Sequence, residues 1–172
     1  MIVLCSNVGN YHYQESNPDF VSILYKGAGG PVFRHPVWID AVEHIMERCS
    51  RDELILILGR DAADAVDGSA CLKRFNGNIV GIWRGADEFA RKNGLHGLFT
   101  GELITNPKQA RDRGIMTLQI HIDEWTEYVF TCLRKLFDEN TPLEQVPEKL
   151  KAMSLQDRKY SCYRIYDSFI YL

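Results

Sequence analysis

Glu53 to Asp64 reads ELILILGRDAAD, and from Leu54 to Gly59 it carries no polar side chain and no alternation. A strand with one wet face alternates apolar and polar residues, because successive side chains point to opposite sides. A strand covered on both faces has no reason to alternate. Leu54 to Gly59 therefore predicts a central strand in a parallel sheet that is sandwiched between helices. Behind it Arg60 and Asp61 form a charged turn, and Asp61 can cap a helix running to Cys71. The small residues Ala62, Ala63, Ala65 and Ala70 let that helix lie close to the sheet.

Working outward, four other stretches have strand character. Met1 to Cys5 is short, apolar and followed at once by polar Ser6 and Asn7. Val21 to Lys26 closes on the glycine run from Gly27 to Gly30, Ile79 to Trp83 follows Gly77-Asn78, and Ile115 to Ile122 precedes the longest helical pattern. The tail from Lys159, KYSCYRIYDSFIYL, is aromatic and β-branched with rough period-two order, so it predicts an antiparallel edge strand.

Helical patterns separate these strands. Pro36 stands in the favoured first position of a helix whose stripe is Trp38, Ala41, Val42, Ile45, Met46 and Cys49, with His44 off the stripe. Asp87 to Asn93 and Pro107 to Arg113 are shorter helices, the second stopped by Gly114. Asp123 is placed to cap the longest, in which Trp125, Tyr128, Val129, Cys132, Leu133, Leu136 and Phe137 keep helical spacing. Thr141 to Met153 is a linker with a short helix. LHGLFTGELITN, residues 95–106, is broken by glycines and reads as a loop flanking a site.

The expected fold class is α/β. It is a single three-layer domain spanning residues 1–172, with a mainly parallel sheet of about five strands, helices on both faces and an antiparallel C-terminal edge strand. The competing architecture is an α+β domain in which residues 1–26 form a hairpin, because no convincing crossover helix separates the first two strands.

At 172 residues and 45% hydrophobic, the chain can bury one sizeable core. A net charge of −3 with interspersed signs offers no basic footprint for nonspecific nucleic-acid binding. No apolar run approaches the roughly 20 residues of a membrane span. Cys5, Cys49, Cys71, Cys132 and Cys162 stand singly, without a CxxC pair, which points to reduced thiols and a cytoplasmic setting. His12, His35, His44, His96 and His121 show no HxH or HExxH arrangement, so no metal site is expected.

The candidate site follows from topology, since no catalytic motif is complete. Ligands of open parallel sheets bind outside the carboxyl ends of the strands. The residues just beyond the expected strands are Ser6 and Asn7, Lys26, Arg60 and Asp61, Arg84, and His121 with Asp123 and Glu124. Lys26, Arg60 and Arg84 give that rim a cationic character suited to an anionic small molecule, a nucleotide or a phosphorylated metabolite, because guanidinium groups hold phosphate bidentately. The same arginines can instead pair with Asp61, Asp64, Asp87 or Glu88 as surface ions. His121 and Asp123 are the residue types of general acid–base catalysis, and a Cys5–His121 nucleophile pair is also conceivable. Gly27 to Gly30 lacks both the GxGxxG spacing and the GK[ST] ending of phosphate loops and reads as a connector. No cofactor is specified. The second functional class is a non-catalytic interaction protein, a regulator or inhibitor, presenting its C-terminal strand to a protein partner or a second copy.

Overall fold

The computed structural model describes residues 1–5, 20–27, 29–34, 44, 46–59, 70–101, 103–156 and 168–172. The central strand, β3, is Ile55–Leu58 and is buried throughout. It lies inside a six-stranded sheet of order β2-β1-β3-β4-β5-β6. The others are β1 (Ile2–Cys5), β2 (Val32–Arg34), β4 (Ile79–Ile82), β5 (Gly97–Thr100) and β6 (Phe169–Tyr171). β1 to β5 pair in parallel, whereas β6 runs antiparallel to β5 as an edge strand.

The lack of alternation in β3 has a direct structural counterpart. Ile55 and Ile57 join Ile2, Leu4, Ile79 and Phe99 in one core, while Leu56 and Leu58 join Val3, Val80, Ile82 and Leu98 in another, on the opposite face. Each fully buried aliphatic side chain contributes on the order of 1.5–3 kcal/mol relative to exposure, so both faces of the strand are stabilising. The first face is covered by a helical turn containing Met46, by α2 (Ala70–Lys73) and by α3 (Ala86–Asn93). The second face is covered by the turn after α1 (Phe20–Ile23), by α5 (Gln119–Asp138) and by α6 (Val146–Gln156). The architecture is therefore three-layer α/β, as the sequence predicts, and β1 pairs in parallel with both β2 and β3, which excludes the hairpin alternative.

Two glycines are needed for the sheet to close. A Cβ on Gly81 would lie 2.6 Å from a Phe99 ring carbon and 2.8 Å from a Trp83 ring carbon, so Gly81 makes room for both rings. Gly97 has φ 155°, and a Cβ there would lie 2.2 Å from the Ile79 carbonyl oxygen, inside the β4–β5 pairing itself.

Three expected elements are corrected. Val21 to Lys26 is not a strand: α1 and its turn occupy that stretch, with Tyr25 and Lys26 N–H groups donating to the Ser22 carbonyl at 3.2 and 2.8 Å. Short apolar runs fit either period, and burial of Leu24 beside the long helix decided for the helix. Ile115 to Ile122 is likewise not a strand, because α5 begins at Gln119 and its buried stripe reaches back to Ile122. The fifth parallel strand is β5, inside the stretch expected to be a loop. Its glycines are not helix breakers; Gly97 permits a close strand approach. The expected cap also moves: Leu118 is the N-cap of α5, without a side-chain bond, and Asp123 lies within the helix.

Candidate functional site

The order β2-β1-β3 places the reversal of strand order between β1 and β3. Leu24, from the β1-to-β2 connection, packs on one face, whereas Met46 and Leu72, flanking β3 in the chain, pack on the other. Connections that leave adjacent strand ends toward opposite faces open a crevice at the carboxyl edge. Ser6 and Asn7 directly follow β1, and Arg60 and Asp61 follow Gly59 at the end of β3; all four lie outside the described residues. The first described group beside this point is Gly59, with φ 93° and an N–H bonded to the Ile82 carbonyl at 3.2 Å.

The next strand end is described in full, and Arg84 stands on it. Thr100, fully buried at the end of β5, accepts from the Trp83 N–H at 3.0 Å and donates through Oγ1 to the Trp83 carbonyl at 2.7 Å. The Gly85 N–H donates to the Gly101 carbonyl at 2.8 Å, and Gly101 N–H donates to the Ser168 carbonyl at 2.8 Å. One threonine hydroxyl thus satisfies both backbone groups of the residue before Arg84, while the residue after it is tied to the neighbouring strand. The Arg84 backbone is fixed and its side chain is exposed. Among the described residues it forms no ion pair, so the expected alternative pairing with Asp87 or Glu88 is not made. Those two carboxylates instead stand in the first turn of α3, where they suit the helix dipole.

Arg84 lines a pocket of about 90 Å³ with Leu103, Ile104, Gln109, Asp112 and Arg113. The far wall is α4 (Pro107–Asp112), whose start is defined by sequence chemistry. Asn106 is its N-cap, accepting from the Gln109 N–H at 3.0 Å, and Pro107 fills the first position, where no donor is needed. Gln109 reaches back: its Oε1 accepts from Thr105 N–H at 2.8 Å and from Thr105 Oγ1 at 3.0 Å. This is a capping box extended by one residue. Gln119 at the start of α5 then donates to the Thr105 carbonyl at 3.1 Å and to Asp123 Oδ1 at 2.9 Å.

The residues expected to carry acid–base chemistry are not presented as a pair. His121 and Asp123 belong to the first turns of α5, and residues two apart on a helix do not face each other. His121 is exposed, and Asp123 is half-buried as the terminus of the Gln119 bridge that holds the α4 loop. Lys26 does not end a strand. It follows α1, and its carbonyl accepts from Arg134 Nη1 at 3.2 Å. Thr100, Gln109 and Arg113 were not singled out from sequence. The Asn-Pro-x-Gln cap signature was visible at 106–109, but Thr100 has no local signal, since its role depends on which strand lies beside it.

No family model matches this chain, and no curated protein or solved structure is significantly similar to it.

Proposed function

We propose that this protein binds, and can turn over, a nucleotide or phosphorylated small metabolite at the carboxyl edge of the sheet. The observation that supports the reading is the reversal of strand order between β1 and β3, with an exposed arginine at the neighbouring strand end that forms no ion pair among the described residues. Ser6, Asn7, Arg60 and Asp61 follow the two strands that flank the crevice and supply hydroxyl, amide, guanidinium and carboxylate groups to a ligand lying across it. Arg84 meets the ligand's charged end. Thermal-shift screening against nucleotides and phosphosugars tests the proposal. A true ligand at 100 times its Kd adds about 2.7 kcal/mol, or roughly 5–10 °C for a chain of this size. Absence of any shift overturns it.

The second reading is a non-catalytic interaction protein that uses the C-terminal edge. It is favoured by β6, which pairs with β5 alone among the described strands and carries half-buried Ile170 and Tyr171. A change in oligomeric state on replacing Ile170 with lysine, with no response to phosphorylated ligands, would favour this reading.

A further inference from the structure

We infer that Asn93 is the site at which this chain deamidates spontaneously while folded, and that Asn76, in an identical Asn-Gly dipeptide, is held inert by His96. This covalent modification is independent of the ligand reading above. Asn-Gly occurs twice in the sequence, at 76–77 and 93–94. Glycine has no side chain to shield its backbone nitrogen, so that nitrogen can close on the side-chain carbon of the asparagine before it. At 93–94 the bond formed joins Gly94 N to Asn93 Cγ, and the bond broken frees Nδ2 as ammonia, which carries off the proton that Gly94 gives up. Water then opens the five-membered imide on either side. Cleavage at Cγ leaves aspartate, and cleavage at the backbone carbonyl leaves isoaspartate, whose main chain runs through the side chain. The glycine nitrogen must lose its proton to base before it attacks, so a hydrogen-bonded N–H is protected here as it is in hydrogen exchange.

The fold treats the two dipeptides differently. Asn76 Oδ1 accepts from the His96 N–H at 3.2 Å, and the Gly77 N–H donates to the His96 carbonyl at 2.9 Å. The carbon that would be attacked and the nitrogen that would attack it are both tied to one residue, distant in the chain, that leads into β5. The turn around them is closed again by the Asn78 N–H on the Phe75 carbonyl at 2.8 Å and by Asn78 Nδ2 on the Arg51 carbonyl at 3.2 Å. Ring closure at Asn76 requires both His96 bonds to break together. At 93–94 the restraints are local. Asn93 Nδ2 donates to the Phe89 carbonyl at 2.9 Å, and the Gly94 N–H donates to the Ala90 and Arg91 carbonyls, the second at 3.3 Å. These bonds belong to the last turn of α3, and helix ends open at the least cost. Space beside the Gly94 α-carbon is open, whereas the Tyr171 hydroxyl stands 4.0 Å from the point that a Gly77 Cβ would occupy. The product bears on the fold. A carboxylate at the carboxyl end of α3 opposes the helix dipole, and isoaspartate lengthens the main chain just before buried Leu95.

The full chain is aged in warm, mildly alkaline buffer, folded and in denaturing urea, and aspartate and isoaspartate at each position are followed by peptide mapping with mass spectrometry. Folded, Asn93 should convert about tenfold or more faster than Asn76, because two bonds between distant parts of the chain must break together before Asn76 can react. In urea the two rates should agree within about twofold, since only the shared dipeptide then remains. Hydrogen exchange supplies an independent readout: the Gly77 amide should exchange about tenfold or more slowly than the Gly94 amide. His96→Ala keeps both backbone clamps and should leave Asn76 as inert as in the parent. Release of Asn76 in that variant would assign the protection to the imidazole and overturn the clamp. The inference is also overturned if folded Asn76 converts as fast as Asn93, or if folded Asn93 stays intact over the time in which the chain in urea converts. A preference for Asn93 that persists in urea would place its cause in local sequence and overturn it equally.

Discussion

The two edges of the sheet each carry an arginine, and the contrast between them separates structure from function. At the amino edge, Arg134 of α5 donates through Nε to both Asp138 oxygens at 2.9 Å and through Nη1 to the Leu24 and Lys26 carbonyls at 3.3 and 3.2 Å. Its guanidinium is engaged on every side, pinning the turn after α1 to the long helix. At the carboxyl edge Arg84 stands on an equally fixed backbone but forms no ion pair among the described residues. The cavities run the other way. The amino-edge pocket is about 490 Å³ against about 90 Å³ at the carboxyl edge. Volume is the poorer guide here. Among the described residues the larger cavity is lined by Asp52, Glu53 and Asp138, and Arg134 there is already matched by Asp138, so these groups offer little to an anion. Among the described residues, what distinguishes the carboxyl edge from the amino edge is an arginine without an ion pair on a fixed backbone.

The strongest way to break the contrast is to destroy the frame. Gly97→Ala forces a Cβ against the Ile79 carbonyl and should push β5 away from β4. The expected loss is roughly 3 kcal/mol or more in a urea unfolding experiment, combining backbone strain with overpacking. Thr100→Val keeps the shape but removes the hydroxyl that serves both backbone groups of Trp83. About 1–3 kcal/mol should be lost, and phosphate affinity should fall with it because the Arg84 turn loosens. Unchanged affinity in a destabilised Thr100→Val protein would mean that the frame does not position the arginine.

Exchanging the arginines sharpens the contrast. Arg134→Ala should cost about 1–2 kcal/mol of stability, for the lost carbonyl contacts, with no effect on phosphate binding. Arg84→Ala should change stability by less than about 0.5 kcal/mol while losing binding. Equal stability losses in the two variants would erase the distinction.

The smallest expected effect is at Asp138. The bond from Arg134 holds this carboxyl below its ordinary value of 3.8. A depressed folded-state value means that the pair stabilises the fold above the unfolded-state value and ceases to as pH falls through the folded one. The stability gap between parent and Asp138→Asn should therefore be constant near neutrality and close in acid below about pH 4. A gap that widens in acid would reverse the assigned sign.

Local pattern was enough for much of this molecule. Leu54 to Leu58 reads as a strand covered on both faces, because five successive large aliphatic residues followed at once by Gly59 and a charged turn leave no side for water and are short for a helix. The Pro107 start, the Gly114 stop and the apolar stripe from Trp125 onward were legible for the same kind of reason, since each depends on residues within a few positions of one another. Arg84 could be placed at a strand end by counting along Ile79 to Trp83.

Other features depended on contacts between distant parts of the chain. IMTLQIHI alternates like a strand, yet Met116, Leu118 and Ile120 are left exposed, while Ile122 is buried and Trp125 packs into the second core within a helix that begins at Gln119. GLFT looks like a loop until β4 lies beside it, when Gly97 becomes the residue that lets two backbones meet. Arg84 and Arg113 line one pocket although they come from the end of β4 and the end of α4, and no spacing in the chain encodes that. Periodicity reports how a segment divides its own faces between water and protein. Which neighbour fills each face, and which charges then remain unmatched, is settled only when the layers pack.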